Sequence, residues 1–307
     1  MTPKMRPYGG EEDYWRLRAL LREAFWRNGR RERCWQVARL DYWRWHGLRN
    51  VDPQPIEGLI YLWEAAGQLV AALNPEGRGE AFFQVHPDHR TPALEEEMLA
   101  LAEERLAAPT PEGKRRLEVW ARRDDELRRE LLARHGYAPG AWPEYGRQRS
   151  LDLPIPAAPP PEGYTVRSLG GPEELPARSW ASWRGFHPNE PDDKYDGWTW
   201  YRHIQSAPIY RRDLDMVAVT ATGEIAAFCT LWYDDVTRTG YFEPVATVPE
   251  HQRRGLGKAV MGEAMRRVKE MGATLVTVAG FSTAANALYG SVMGCEPEIT
   301  EAWGKAW

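Results

Sequence analysis

Cysteine is scarce in this sequence and shows no pairing pattern. The chain has 307 residues and three cysteines, none of them in a CxxC pair. A disulfide framework or a zinc site is therefore not expected, and a reducing cytoplasm is the default compartment. Pro87 between His86 and His89 predicts a loop and not a helical metal-binding face, so we expect no metal. The three cysteines are Cys34, Cys229 and Cys295.

Long apolar runs and an excess of charge of one sign are also missing. No apolar segment approaches the ~18 residues needed to span a bilayer, and no apolar signal core follows the polar start of the chain. The net charge is −4, and the basic runs are interleaved with acids, which is typical of solvated helix faces. We therefore expect a cytoplasmic protein that binds neither nucleic acid nor a membrane.

The length and composition suit two soluble globular domains. Hydrophobic residues make up 43% and charged residues 27% of the chain. The segment Leu151–Gly163 is rich in proline, which can continue neither a helix nor an inner strand. It predicts an extended linker. The predicted domains are residues 1–150 and residues 163–307, joined by a linker at residues 151–162.

The two halves follow the same order of elements. A Gly-Gly turn, a helix, a Trp-rich helix, a hairpin, a proline turn and a periodic helix occur in both. The proline turns at Pro87 and Pro249 are 162 residues apart, and the glycine turns at Gly10 and Gly171 are 161 residues apart. Such steady registration indicates a duplicated domain. The mixture of strands and helices predicts an α/β sheet with helices on both faces.

The loop at residues 248–258 carries the chemical signal. A strand leads into a proline turn, and Gly255 and Gly257 then open a helix. Glycine lets the backbone approach a bulky anion, and the first N–H groups of a helix are unpaired at the positive end of its dipole. This arrangement predicts a pyrophosphate cradle. A Rossmann fingerprint is not supported, because its third glycine position is Val260.

The wider pattern resembles the GCN5-related N-acetyltransferase (GNAT) family. Gln252-x-x-Gly255-x-Gly257 follows a strand and a proline turn, and an Asn-x-x-Tyr motif follows at residues 286–289. The resemblance is close over residues 163–307 and extends to the first half only in outline. It implies two tandem GNAT-like domains, each a mixed, mostly antiparallel twisted sheet flanked by helices.

The resemblance also implies acetyl-CoA as the acyl-donor co-substrate. In the family, the glycine loop binds the pyrophosphate and the preceding strand offers backbone groups to the pantetheine arm. The implied cofactor-binding residues are Val245, Ala246, Thr247, Val248, Gln252, Arg253, Arg254, Gly255, Leu256, Gly257, Lys258 and Asn286.

The first half departs from this pattern at the loop. At an offset of 162 residues, Glu95 stands in place of Gly257, so a carboxylate lies where a diphosphate should bind. We therefore expect residues 1–150 to be a degenerate GNAT-like domain without a cofactor loop. Further replacements at this offset are Arg90 for Gln252, Pro92 for Arg254, Ala93 for Gly255 and Ala81 for Glu243. Five residues before Gly136, the glycine that matches Gly294, Leu131 stands in place of Tyr289.

Two residues of the second half are candidates for proton transfer. The resemblance implies that Tyr289 is the general acid near the CoA sulfur. Glu243 is poorly suited to an apolar strand, and in many relatives a carboxylate on this strand activates the amine. Burial would raise its pKa toward a useful range for a general base. We expect Cys295 to be a small buried hydrophobe and not a nucleophile, which favours direct attack.

The acceptor is less defined by the sequence. Residues 180–201 are rich in tryptophan and tyrosine and include His187, Glu190, Asp192 and Asp193. Aromatic rings with acids suit a cationic amine, although acids on an exposed loop are also ordinary. The predicted enzyme is an acetyl-CoA-dependent N-acetyltransferase that acts on a primary amine of a small molecule, as a monomer or homodimer. The alternatives are a protein or peptide N-acetyltransferase and a non-catalytic acyl-CoA-binding regulatory protein.

Overall fold

The computed structural model describes residues 2–307, which divide into two compact units. Unit 1 comprises the chain up to Tyr145 together with Glu298–Trp307, and unit 2 comprises Gly146–Pro297. Each unit has its own hydrophobic core. Among the described residues, no helix has the length and apolar composition that crossing a membrane requires.

The strands of unit 1 form a mixed sheet. They are β1 Lys4–Pro7, β2 Tyr61–Ala65, β3 Gln68–Asn74, β4 Glu80–Val85, β5 Ala108–Pro109, β6 Arg115–Arg122, β7 Ala138–Pro139 and, from the end of the chain, β14 Glu298–Ala306. The order is β1-β2-β3-β4-β6-β14, with β5 beside β6 and β7 beside β14. All of these pairs are antiparallel except β4 with β6.

The helices of unit 1 include one irregular segment. They are α1 Glu11–Arg27, α2 Val37–Tyr42, α3 Pro92–Arg105 and α4 Glu126–Arg134. A π-helical segment, Trp43–Val51, continues directly from α2, and a short 3₁₀ turn at Pro87–His89 follows β4. The predicted Trp-rich helix of this half is therefore partly π-helical.

Unit 2 repeats the same order of strands. They are β8 Glu144–Ser150, which begins at the end of unit 1, β9 Tyr164–Ser168, β10 Asp215–Thr220, β11 Ile225–Asp234, β12 Thr239–Thr247 and β13 Leu275–Gly280. The order is β9-β10-β11-β12-β13-β8. The pairs from β9 to β12 are antiparallel, and β12 pairs with β13 in parallel. This matches β1 to β6 of unit 1.

The helices of unit 2 cover this sheet. They are α5 Leu175–Phe186, α6 Tyr201–Gln205, α7 Leu256–Glu270 and α8 Thr283–Met293. The predicted apolar face of α7 packs into the core, where Val260, Met261, Ala264 and Val268 are buried. The predicted fold class, a mixed and mostly antiparallel sheet flanked by helices in each half, is confirmed.

The units differ from the predicted domain boundaries at two places. Glu298–Trp307 belongs to unit 1, since β14 pairs with β6 from Thr300 opposite Arg122 to Ala306 opposite Arg116. Residues 146–162 belong to unit 2. The proline-rich segment has no regular structure, as predicted, but it is not a free spacer, because Leu151 is buried in the core of unit 2.

Candidate active site

The candidate site is built along β12. This strand pairs with β13 from Thr239 opposite Leu275 to Phe242 opposite Val278, and the ladder ends there. The other edge of β12 stays paired with β11 as far as Thr247. Residues 243–247 therefore have one open edge. An open edge offers N–H and C=O groups to an extended ligand.

Alternation along β12 decides which backbone groups face this open edge. The Val248 N–H donates to a carbonyl of β11 at 2.9 Å. Successive residues of a strand direct their backbone groups to opposite sides, so Ala246 also faces β11, whereas Val245 and Thr247 face the open edge. In agreement, the Thr247 carbonyl accepts a hydrogen bond from Gln252 Nε2 at 3.2 Å. Of the four predicted cofactor-binding residues on this strand, Val245 and Thr247 thus direct their backbone groups to the open edge, whereas Ala246 and Val248 direct theirs to β11.

The loop after β12 leads directly into α7. Gly255 precedes the helix with a φ of 84°, in the left-handed region that strains other residues. Arg253 also has a positive φ, of 63°. Among the described residues no side chain caps the start of α7, and its first turn has no acidic residue. The first N–H groups and the positive end of the helix dipole are therefore left for an anion.

Gly257 has a packing role that the sequence pattern did not reveal. It is buried, and a Cβ atom there would lie 2.9 Å from Leu288 Cδ2 on α8. A larger residue would have to displace the Leu288 side chain on α8. Leu256 is buried in the core, so only its backbone can face the loop.

The basic side chains of the loop fall into two kinds. Arg254 is engaged, because its Nη1 donates to Tyr164 Oη at 3.0 Å and its Nη2 to the Glu250 carbonyl at 3.3 Å. Arg253 and Lys258 are exposed, and their side chains have no partner within residues 2–307. These two remain available to an anion at the start of α7.

Tyr289 lies on α8 against the end of β13. Its side chain is buried, and a Cβ atom on Gly280 would lie 2.8 Å from its ring. Burial raises the pKa of Tyr289, and the charge of Glu243 raises it further. The hydroxyl is therefore protonated at neutral pH. A group in this state can donate a proton to a leaving group.

Glu243 lies at a bulge in β12. One residue of β11, Thr230, faces both Glu243 and Pro244, because the register of the two strands shifts there. The Trp232 indole Nε1 donates to the Glu243 carbonyl. Glu243 is half-buried, and its charge acts on Tyr289. The structure therefore brings the two predicted catalytic residues within electrostatic reach of each other.

Asn286 is held by its neighbours on unit 2. Its Oδ1 accepts from Arg147 Nη1 at 2.6 Å, and its Nδ2 donates to the carbonyls of Gly280 at 3.3 Å and Ser282 at 3.0 Å. Ser282 caps α8 through the Ala285 N–H. These contacts tie α8 to the end of β13. The predicted cofactor contact of Asn286 would have to share these hydrogen bonds.

The two cysteines of unit 2 differ from expectation in one respect. Cys295 is exposed, and its thiol donates to the Gln148 carbonyl at 3.1 Å, so the prediction that it is buried was wrong. The last helix ends at Met293, and Gly294, Cys295 and Glu296 after it are exposed. Cys229 is fully buried near Tyr289, and burial raises the pKa of its thiol. A thiol with a raised pKa is a poor nucleophile.

An aromatic cluster lies on α5 and the loop that follows it. Trp180 stacks on Trp183 with centroids 5.4 Å apart, and Tyr195 approaches Trp180 edge-on at 5.1 Å. The same helix crosses β12, because a Cβ atom on Gly185 would lie 2.8 Å from the Ala246 Cβ. The aromatic cluster thus lies on the helix that packs against the open strand.

The acids around this cluster are partly neutralised. Glu190 pairs with His187 at 2.9 Å, and Asp192 pairs with Arg184 at 3.8 Å. Asp193 is exposed. Since Glu190 is hydrogen-bonded to His187 and Asp192 lies beside Arg184, the rings offer a clearer feature for a cation than these two carboxylates do.

Unit 1 has a different arrangement at the matching position. Glu95 is fully buried at the start of α3. Its carboxylate accepts from Arg90 Nε at 2.5 Å and from Arg128 Nε at 3.1 Å and Nη2 at 2.9 Å. Arg90 also contacts both oxygens of Asp125 at 2.7 Å, and Thr91 caps α3. In unit 1 the Glu95 carboxylate thus takes up the nearby basic side chains, and Thr91 caps the first turn of α3. At the matching place in unit 2, the first turn of α7 has neither a side-chain cap from the described residues nor an acidic residue.

The family comparison covers the segment in which this geometry occurs. Residues 175–295 match the GNAT acetyltransferase family. The matching segment is less than half of the chain; it lies in unit 2 and includes β12, the glycine loop and Tyr289. The match supports the predicted enzyme class, an acetyl-CoA-dependent N-acetyltransferase.

Similar proteins extend the likeness to most of the chain. A mycothiol acetyltransferase of Pseudarthrobacter chlorophenolicus is 23% identical over 250 residues, which cover 74% of this chain and 70% of that protein. A GCN5-related N-acetyltransferase from Sphaerobacter thermophilus has a TM-score of 0.66 at 21% identity, covering 100% of this chain and 97% of that one. A tandem GNAT protein from the clavulanic acid biosynthesis pathway has a TM-score of 0.64 at 17% identity, covering 99% and 98%. At these identities the structures show that the fold is shared.

The close approach of Gly280 to the Tyr289 ring was not predicted from the sequence. Glycine at the end of a strand often marks a close approach, which is the signal that was available. Gly280→Ala should displace the Tyr289 ring and lower kcat about tenfold, with a smaller change in KM for acetyl-CoA. Steady-state kinetics would measure both. Gly290→Ala, on α8 with only ordinary contacts near its Cβ, is the matched control. Equal kinetics for the two variants would contradict this role of Gly280.

Proposed function

We propose that unit 2 transfers an acetyl group from acetyl-CoA to a primary amine of a small molecule by direct attack. The observation that carries this proposal is the open edge of β12 at residues 243–247, which leads into the uncapped start of α7. Glu243 and Tyr289 lie at the beginning of that edge, coupled through their charges.

The residues present fit the cofactor. Arg253, Lys258 and the free N–H groups of α7 suit the diphosphate, and the backbone groups of Val245 and Thr247 suit the amide groups of the pantetheine arm. Gly255 supplies the left-handed turn that exposes these N–H groups. The predicted contacts of the other loop residues remain part of this proposal.

The proposed chemistry needs one base and one acid. Acetyl-CoA supplies the thioester when bound. Glu243 accepts the proton that the amine loses as its nitrogen attacks, directly or through water, and Tyr289 gives its proton to the departing sulfur. The Val245 N–H donates to the carbonyl oxygen as negative charge develops there. The ammonium form of the amine first releases one proton to solvent. The C–N bond then forms as the C–S bond breaks, Glu243 takes the second proton of the nitrogen and the thiolate takes the Tyr289 proton. Transfer of a proton from Glu243 to Tyr289 through water restores both groups.

Direct attack is favoured over transfer through cysteine. Cys229, which lies near Tyr289, is buried with a raised pKa. A covalent acetyl-cysteine step needs a thiolate, which this environment disfavours. We therefore propose a single displacement within a complex of enzyme, acetyl-CoA and amine.

The acceptor in this proposal is a small cationic amine. The cluster of Trp180, Trp183 and Tyr195 provides ring faces on the helix that packs on β12. A screen would begin with small amines, including the acceptor class of the similar mycothiol acetyltransferase. Activity on peptide N-termini but not on small amines would favour a protein N-acetyltransferase instead.

The N-terminal half is proposed to be a second, degenerate GNAT-like domain. Its strand order matches that of unit 2, and the tandem GNAT neighbour supports a tandem arrangement. In unit 1 the buried Glu95 takes the basic groups that an anion would need. We therefore propose one acetyl-CoA site per chain, in unit 2.

Calorimetric titration of acetyl-CoA into the full chain tests this count. We expect one site per chain, and we expect Gly257→Glu to abolish it, because the new side chain collides with Leu288 and places a carboxylate at the anion site. Lys269→Glu adds a carboxylate at the far end of α7 and should retain the site. Two sites in the wild type would contradict the degenerate first domain, and the absence of binding would contradict the cofactor assignment.

A further inference from the structure

A chain of hydrogen bonds lies beside the glycine loop of unit 2. Tyr164 Oη, on β9, lies 3.0 Å from Arg254 Nη1 and 2.9 Å from His251 Nδ1. His251 Nε2 lies 3.3 Å from a carboxylate oxygen of Glu224. The Tyr164 ring meets the His251 ring edge-on, with centroids 5.7 Å apart. Side chains from β9 and from the turn between β10 and β11 thus meet two side chains of the turn between β12 and α7.

The direction of this chain follows from the donor types. Arginine can only donate, so the Tyr164 oxygen accepts from Arg254. A Tyr164 hydroxyl that donates to His251 Nδ1 requires the tautomer in which the histidine proton lies on Nε2, and Nε2 faces Glu224. In that tautomer each of the three links has one donor and one acceptor.

These hydrogen bonds determine which contacts the Arg254 guanidinium makes. Its Nη1 is used by Tyr164 and its Nη2 by the Glu250 carbonyl, so its guanidinium joins β9 to the turn that precedes Gly255. Arg253, the neighbouring arginine, is exposed and without a partner among the described residues. The two arginines of the loop are therefore not equivalent, although the sequence pattern gave both the same role.

We propose that Tyr164 is a positioning residue for the acetyl-CoA loop and that it acts through Arg254. In this inference, which rests on the proposed function, Arg254 holds the loop in shape, and Arg253, Lys258 and the backbone contact the diphosphate. His251 and Glu224 orient the Tyr164 hydroxyl. Tyr164 precedes the family-model segment at residues 175–295, so the motif alone does not identify it.

The test is the binding of CoA to full-length variants, measured by calorimetry. Tyr164→Phe keeps the ring and removes only the hydroxyl, and it should raise Kd about threefold to tenfold. Arg254→Gln should raise Kd by a similar factor. The double variant should lie within about twofold of either single variant, because both changes break the same link. Tyr233→Phe, which removes a hydroxyl bonded to the Met271 carbonyl, is the matched control and should leave Kd unchanged.

Kinetics separate positioning from a general loss of structure. Tyr164→Phe should raise KM for acetyl-CoA and leave kcat at saturating acetyl-CoA within about twofold, because Tyr164 contacts none of the reacting atoms. Independent effects that multiply in the double variant would overturn the proposal and assign Arg254 to the diphosphate. A fall in kcat of Tyr164→Phe as large as its rise in KM for acetyl-CoA would also overturn the proposal. A wild-type protein that binds no CoA would instead refute the proposed function, so the two failures are distinguishable.

Discussion

Glu243→Gln should lower kcat about 10²-fold to 10³-fold while the Kd for acetyl-CoA changes little. The substitution keeps the size of the side chain and removes its capacity to accept a proton from the amine. Glu243 lies at the bulge of β12, where Trp232 holds its carbonyl and its charge reaches Tyr289. Steady-state kinetics with an accepted amine, together with calorimetry of acetyl-CoA, would measure both quantities.

Tyr289→Phe and a surface control complete this experiment. Tyr289→Phe should lower kcat about tenfold to 10²-fold, and the double variant should fall well short of the product of the two effects, since both groups serve one proton transfer. Glu270→Gln, exposed at the end of α7, should have wild-type kinetics. Unchanged turnover in both Glu243→Gln and Tyr289→Phe would show that this acid and base assignment is wrong.

The pH dependence has a defined sign. Burial raises the pKa of Tyr289 above its ordinary value of 10.0, so its hydroxyl stays protonated throughout the range below pH 10. If kcat/KM falls between neutral pH and pH 10, the cause is therefore the titration of a group other than Tyr289. The rise in kcat/KM from acidic pH reports a base, and Glu243→Gln should flatten it.

Glu95→Ala should destabilise unit 1 by about 3–5 kcal/mol. The carboxylate is fully buried and accepts hydrogen bonds from both Arg90 and Arg128. Its removal leaves the buried Arg128 guanidinium without this partner, while Arg90 keeps Asp125. The urea midpoint of the full chain, with hydrogen exchange of α3 and α4 to locate the loss, would measure the effect.

A control on the same helix makes this result specific. Glu104→Ala, on the exposed side of α3 with an exposed partner in Arg105, should change stability by less than about 0.5 kcal/mol. A loss in Glu95→Ala no larger than in Glu104→Ala would show that the buried cluster does not stabilise unit 1. Acetyl-CoA binding at unit 2 should survive in Glu95→Ala wherever the chain remains folded.

The same cluster predicts how acid affects unit 1. Burial favours the neutral form of Glu95, but Arg128 and Arg90 outweigh it and hold the pKa of Glu95 below its ordinary value of 4.5. A lowered pKa stabilises the fold above that value, and the contribution is lost as the pH falls below 4.5 through the folded-state pKa. Wild-type unit 1 should therefore lose more stability in this range than Glu95→Gln does.

Much of the fold could be predicted from local patterns. The periodic apolar face of α7, the hairpin of β10 and β11 around Gly223 and the proline turn at Pro249 are all signalled by residues within a short window. Such patterns determine the type of an element because its hydrogen bonds and its apolar face are local. The end of each half was less predictable, since the pairing partner of a terminal strand is a non-local choice.

The sequence by itself determined the order of elements, the glycine loop before α7 and the difference between Gly257 and Glu95. Only the tertiary structure decided that β14 pairs with β6, that Gly257 packs against Leu288, and that Arg254 is hydrogen-bonded to Tyr164. The physical reason is the range of the interactions. Backbone conformation and apolar periodicity are set by neighbouring residues. Strand partners, close helix contacts and hydrogen bonds between side chains instead join residues that are far apart in sequence, such as Arg116 of β6 and its partner Ala306 of β14, which are 190 positions apart.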